Sequence, residues 1–230
     1  MKISVIIPTL NEEECLSVLI PHLQEKSGYI PVHEIIIADA GSNDGTISLS
    51  ENLGAKVVHC KEKGRAAQMN AGANVASGVL LYFVHADTFP PENYVDLISE
   101  RLSNNGEAGC FTSIFDWPHP FLRFFNFFSR LPFWFCRGGG QTLFVSKRLF
   151  DEVDGYKNEM KIMEEYDLIS RLKNKTSFEV IKENAITSAR DYKVNGVYRL
   201  HLIYAWVFVL YATGASQERM LKFVRAKVKK

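Results

Sequence analysis

The sequence predicts an α/β fold with a mostly parallel sheet flanked by helices, and three observations carry the prediction. Strand-like and helix-like segments alternate four times between Ile3 and Asp87. The first two strand-like runs are almost wholly apolar, as strands covered on both faces are, and polar residues gather where the runs stop. Such alternation gives right-handed crossovers and puts the ligand crevice beyond the carboxyl ends of the strands, a Rossmann-like arrangement.

Ile3 to Ile7 is β-branched and apolar and reads as the first strand, stopped by Pro8. Asn11 reads as the N-cap of the first helix, with Glu14 completing a capping box and Leu16, Leu19, Ile20 and Leu23 at helical spacing. The second strand, Ile35 to Asp39, breaks into Gly41 and Gly45 before a helix from Thr46. The third, Ala55 to His59, precedes a helix over Ala66 to Val75, and the fourth, Val79 to Val84, ends at His85, Ala86 and Asp87. Thr9, Asn11, Asp39 and Asp87 are thereby expected in one crevice.

From Ala108 the pattern changes to a strand over Ala108 to Phe115, an aromatic segment from Trp117 to Cys136, the glycine run Gly138 to Gly140 and a strand over Thr142 to Val145. Helices follow over Lys147 to Val153 and Glu164 to Lys173, and Asn195 to Ala212 with Ser216 to Lys229 reads as a C-terminal helical hairpin broken near Gly214.

The 230 residues are 47% hydrophobic, enough for one sizeable core. A formal net charge of +1 gives no basic excess, so no nucleic-acid partner is expected. Cys15, Cys60, Cys110 and Cys136 lie far apart without a CxxC pair, which reads as reduced thiols rather than zinc ligands or a disulfide framework. The first apolar run is too short for a signal peptide, and a cytoplasmic chain is expected.

Four segments, SVIIPTLNEEE near the start, IIIADAGSNDGT over Ile35 to Thr46, GRAAQMNAGA over Gly64 to Ala73 and YFVHADT over Tyr82 to Thr88, resemble the family 2 glycosyltransferases in order and spacing. GGGQTLFVSKRLFDEVDGY followed by MEEYDLISRL resembles that family's acceptor-side strand and acid-bearing helix. The resemblance covers roughly Ile3 to Arg190. It implies a GT-A-like fold over residues 1–190, with 1–108 taking the nucleotide sugar, 109–190 shaping the acceptor side, and 191–230 an extension. It implies inverting transfer of a hexose from a UDP- or GDP-sugar, with Mn2+ or Mg2+ as cofactor.

The residue chemistry runs the same way. A nucleoside diphosphate leaving group needs its charge neutralised, and Asp87 at a strand end fits as the metal-holding carboxylate, against a plain turn-capping role. His85 stands where the resemblance implies an acid; a ribose or manganese contact and a local hydrogen bond are both open. The resemblance implies Asp39 against the nucleotide base, with Ala40 at a position where the family often has a second Asp, and Asp44 reads either as the substitute acid or as a helix cap. Pro8, Thr9 and Glu12 line the same end of the nucleotide site. Arg65 is open between diphosphate binding, a pair with Asp39 and a solvated loop role.

The resemblance carries the catalytic base to Glu165, the second of the acid pair Glu164 and Glu165, with Glu where the family has Asp. One methylene shifts the carboxylate by about an ångström. Asp167 reads as an exposed helix ion pair with Arg171, and Gly138 to Gly140 as a turn. Pro8 to Glu14 lacks the glycine-rich loop of a sugar nucleotidyltransferase. His85, Ala40 and Glu165 also motivate a second reading, a catalytically degenerate nucleotide-sugar-binding module at a membrane.

Phe121 to Phe135 concentrates aromatics, with Arg123, Arg130 and Arg137 interleaved, and Leu200 to Gln217 carries no charged side chain. That stretch is at the short limit for a hydrocarbon layer of about 30 Å, so an interfacial or docked helix is expected rather than a span. The tail mixes Arg219, Lys222, Arg225, Lys227, Lys229 and Lys230 with apolar residues, which suits the inner membrane face and a lipid-linked acceptor, or a hairpin packed on protein. The oligomeric state is not encoded.

Overall fold

A computed structural model describes residues 1–103, 106–128, 130 and 141–229. The first four strands follow the predicted alternation: β1 (Ile3–Thr9), β2 (Glu34–Asp39), β3 (Lys56–His59) and β4 (Leu80–Phe83), linked by α1 (Glu13–Glu25), α2 (Thr46–Asn52) and α3 (Arg65–Val75). β1 is parallel to β2 and β4, and β2 to β3, which sets Thr9 beside Asp39. The unbroken apolar runs reflect burial on both faces. Val5 and Ile7 pack with Leu16 and Leu19 of α1, while Ile6 packs with Ala66, Met69 and Ala73 of α3. Gly72 permits that second contact, since a Cβ there would lie 2.4 Å from Ile6 Cγ2.

The chain continues through β5 (Thr88–Phe89), α4 (Tyr94–Ser103), β6 (Ala108–Phe115), α5 (Pro120–Phe128), β7 (Leu143–Ser146), α6 (Lys147–Glu152), α7 (Glu164–Lys173) and β8 (Phe178–Thr187). The strand order is β3-β2-β1-β4-β7-β6-β8-β5. β7 is antiparallel to both β4 and β6, and β8 is parallel to β6. The carboxyl end of β8 therefore reaches the same edge as those of β1, β2 and β4. β8 and α4 are elements that the sequence pattern does not reveal.

The expected capping box does not form. Asn11 sits in the left-handed region at φ 57°, and α1 begins after Glu12 with no side-chain cap. Tertiary bonds claim Asn11 instead: its N–H donates to Ser42 Oγ at 2.8 Å and its Oδ1 accepts from Asn43 N at 2.8 Å. Asp44 accepts from the first N–H of each helix, Thr46 N at 3.0 Å and Glu13 N at 3.3 Å, while Gly45 is the N-cap residue of α2. The C-terminal helices are α8 (Arg190–Asn195), α9 (Val197–Ala212) and α10 (Gln217–Lys227), with Gly196 at φ 80° separating the first two. Among the described residues no helix is long and apolar enough to cross a membrane. Gly138 to Gly140 and the aromatics from Phe133 to Phe135 lie outside the described residues.

Glu34 locks the amino-terminal edge of the sheet. Its Oε1 accepts from Ser4 Oγ at 2.6 Å, from Ser77 N at 2.7 Å and from Ser77 Oγ at 2.7 Å. Partial burial works to raise its pKa, but these hydrogen bonds, with Lys56 nearby, outweigh burial and hold it at about 2. A depressed carboxyl stabilises the fold above its unfolded value near 4.5, and that contribution fades as pH falls toward 2. Glu34→Gln is expected to cost about 1–2 kcal/mol at pH 7 and much less at pH 3. Urea unfolding of both proteins at the two pH values checks this; an equal cost at both would refute the linkage.

Candidate functional site

Two glycine-bounded turns and one strand end assemble the crevice. Asp39, at the end of β2, is fully buried, and its carboxylate is saturated by its own chain. Oδ1 accepts from Gly41 N at 2.8 Å and Ser42 N at 2.9 Å; Oδ2 accepts from Thr9 Oγ1 at 3.1 Å and from Ser42 Oγ. Burial pushes the Asp39 pKa up, but these donors outweigh it and hold it below the ordinary carboxylate value. Pro8 lies in β1 opposite Ala38. The ends of β1 and β2 are further tied by buried Gln68 of α3, whose Nε2 donates to Thr9 O and Ala38 O, both at 2.8 Å.

His85 and Asp87 follow β4. Asp87 is a quarter exposed, with Arg190 Nη2 at 3.6 Å from its Oδ2. The same guanidinium faces Glu12, with Nη1 to Oε2 at 3.3 Å and Nη2 to Oε1 at 3.2 Å. Glu12 first and Asp87 after it hold the Arg190 pKa above its ordinary value. Arg190 thus joins two acids that the sequence singles out. Sequence reasoning missed it because β8 was unrecognised, its apolar Val180, Ile181, Ala185 and Ile186 being interrupted by Lys182, Glu183 and Asn184. A backbone bond from Ser188 N to Asp87 O at 3.1 Å brings the end of β8 to the end of β4.

The acid pair opens α7, immediately after Met163 in a left-handed conformation at φ 64°. Acids in a first helical turn complement the helix dipole. Glu164 is 2% exposed, and Arg65 Nε lies 2.8 Å from its Oε1 without the alignment of a hydrogen bond, so both oxygens retain acceptor capacity. The Glu164 carboxylate keeps Arg65 firmly protonated. Of the roles open for Arg65, pairing with Asp39 is not the one adopted.

Glu165 Oε1 lies 2.7 Å from His85 Nε2, both side chains being largely buried. Burial disfavours the imidazolium, but the Glu165 charge and hydrogen bond outweigh it, and the His85 pKa is raised. The two departures from the family pattern at 85 and 165 therefore touch. A side chain one methylene longer than Asp spans to an imidazole that stands where an acid is expected. Asp167 pairs with Arg171, as its spacing predicts, at 2.6 Å, but also with Lys157 at 2.8 Å, and it is 14% rather than highly exposed.

The loop leading to this pair is fixed from α3. Asn70 Nδ2 donates to Tyr156 O at 2.6 Å and to Asn158 Oδ1 at 2.7 Å, while its Oδ1 accepts from Tyr156 N at 2.9 Å. The GRAAQMNAGA segment thus acts through Gln68 and Asn70 as a brace, besides supplying Arg65.

Among the described residues no cluster of three or more His, Cys, Asp or Glu forms a ready cage for a metal ion. The exposed oxygens of Asp87, with a lone guanidinium on one side, fit a hard divalent ion that keeps most of its shell as phosphate and water.

Comparison with known proteins follows this geometry. The family model described as glycosyl transferase family 2 matches residues 4–133. Glycosyltransferase AglE of Haloferax volcanii is 28% identical over 114 residues, covering 45% of this chain and 36% of that protein. The dolichol-phosphate mannosyltransferase of Pyrococcus furiosus is 30% identical over 112 residues, covering 46% and 32%. These matches span about a third of the length of either relative. The mannosyltransferase PcManGT of Pyrobaculum calidifontis, solved with GDP-Man and Mn2+, superposes with a TM-score of 0.67 at 16% identity, covering 90% of this chain and 62% of that one.

Proposed function

The chain belongs to glycosyl transferase family 2, and from that premise we propose that it transfers a hexose from a UDP- or GDP-sugar to an acceptor hydroxyl with inversion at the anomeric carbon. The observation that carries the proposal is the convergence of two acid groups across one crevice. Glu12 and Asp87 meet Arg190 on the strand-end side, and Glu164 and Glu165 enter from α7.

Thr9, Asp39 and Glu12 mark the nucleotide end. Asp39 serves the base only by exchanging the Ser42 hydroxyl for a base N–H, and otherwise holds the turn on which the base rests. Arg190 and Arg65 face the diphosphate, where a guanidinium fork matches phosphate oxygens. Asp87 would hold Mn2+ or Mg2+, which when bound neutralises charge growing on the leaving diphosphate. Glu165 takes the proton of the acceptor hydroxyl as that oxygen attacks, and His85, at 2.7 Å, fixes its orientation. Glu164 offers its unfilled oxygens to a sugar hydroxyl. The His85–Glu165 contact weakens the degenerate-module reading, because two of the three replacements that motivated it form one interacting pair.

A thermal-shift screen of UDP, GDP and their sugars, with and without manganese, tests the donor half. The preferred donor with metal is expected to raise the melting temperature by about 5 °C or more at roughly a hundred times its Kd. Manganese without nucleotide is expected to do little. No shift with either nucleotide, or the same shift without metal, would count against the proposed site.

A further inference from the structure

We infer that the outer face of α5 and α9, with the cations of α10 beside it, is a docking surface for an anionic lipid bilayer. Fifteen large apolar side chains are exposed among the described residues, and eight of them belong to α5, α8 and α9, so the exposure is concentrated rather than scattered. Phe124 and Phe127 on α5 are 62% and 59% exposed; Leu202 and Trp206 on α9 are 71% and 51% exposed. Rings join the two helices into one surface: Phe121 lies 4.7 Å from Tyr198, and Phe125 lies 3.8 Å from His201, centroid to centroid.

Apart from Arg199 and His201 near its start, α9 is apolar on every side, yet it is only half covered. Val197, Leu200, Ile203, Val207 and Leu210 form its buried stripe, and Tyr198, Leu202, Trp206 and Val209 lie outside it. A helix that is apolar on every side ordinarily has both faces covered, and from Leu202 to Ala212 α9 is of that kind. Charge identifies what covers this one. α5, α9 and α10 together carry six cations, Arg123, Arg199, Arg219, Lys222, Arg225 and Lys227, against the single acid Glu218. The chain as a whole is only +1, so everything outside these helices is net acidic. Aromatic and aliphatic side chains flanked by exposed Lys and Arg match the headgroup boundary of an anionic leaflet. A second copy of the chain fits less well, since a twofold contact would set these cations against themselves.

The surface is also placed to serve the reaction. Phe208 on α9 lies 5.5 Å from the ring of Tyr166, the residue after Glu165, and Ile162 and Met163 pack into the cluster formed by Val207, Leu210 and Met220. α9 therefore separates the acid pair from the bilayer by about one helix diameter, roughly 10 Å. The acceptor that fits is one whose lipid anchor stays in the membrane while its hydroxyl reaches Glu165; this last step rests on the transferase reading.

The test floats the full chain with vesicles of phosphatidylcholine, alone or mixed with phosphatidylglycerol, without donor or acceptor. The wild type is expected to float with the mixed vesicles and to be released by high salt. A triple variant Arg219→Glu, Lys222→Glu and Arg225→Glu should bind at least about a hundredfold more weakly. A second variant, Phe124→Ser, Leu202→Ser and Trp206→Ser, should lose flotation while keeping its melting temperature and its donor-induced shift. Failure of the wild type to float would overturn the inference, as would flotation of both folded variants like the wild type. So would a concentration-dependent dimer that Trp206→Ser dissolves. Because flotation uses no nucleotide and the donor shift uses no lipid, the docking surface and the transferase reading can fail separately.

Discussion

Glu165→Gln is expected to slow release of UDP or GDP from the preferred donor by about 10²–10⁴-fold while leaving the donor-induced thermal shift at its wild-type value. The substitution is nearly isosteric. An amide oxygen can still accept from His85 Nε2, although the charge that raises the His85 pKa is lost. What disappears is the ability to accept a proton from the attacking hydroxyl. Glu164→Gln removes the larger of the two charges acting on Arg65 and should disturb donor binding as well as rate. Unchanged release in Glu165→Gln, with the protein folded and donor bound, would remove Glu165 from the role of base.

The second large effect is expected at Asp87. Asp87→Ala should abolish the manganese-dependent part of the donor shift and reduce release by roughly a hundredfold or more, the equivalent of about 3 kcal/mol of leaving-group stabilisation. Arg190→Ala provides the contrast. It frees Glu12 and Asp87 of their shared cation and should weaken donor binding while preserving the manganese requirement. The two variants thus separate the ion from the guanidinium, both of which face the same phosphate charge. Retention of manganese dependence in Asp87→Ala would mean that the ion is held elsewhere.

The half of the fold with strict strand–helix alternation was legible in the sequence because β1, β2 and β4 are buried on both faces, while β3, at the sheet edge, is not. β8 was not, because only scattered positions along it are buried and its polar residues resemble a loop. Missing β8 hid Arg190, the residue that links Glu12 to Asp87. Asn11 was misread as a cap for a related reason: a cap argument weighs only neighbours in sequence, and Ser42 and Asn43 outbid them from another turn. His85 and Glu165 were each legible as candidates, but their contact was not, since 80 residues separate them. What looked like two unrelated weaknesses is one interaction.

The side-chain amide of Asn70 binds both the N–H and the C=O of Tyr156, as a neighbouring strand would. β7 likewise stands between β4 and β6 in a sheet shared by both halves of the domain. Residues 1–108 and 109–190 are therefore joined by one sheet and one side-chain brace. A chimera that grafted residues 109–190 onto a segment without Asn70 is expected to carry the acid pair but not the amide that fixes the loop before it.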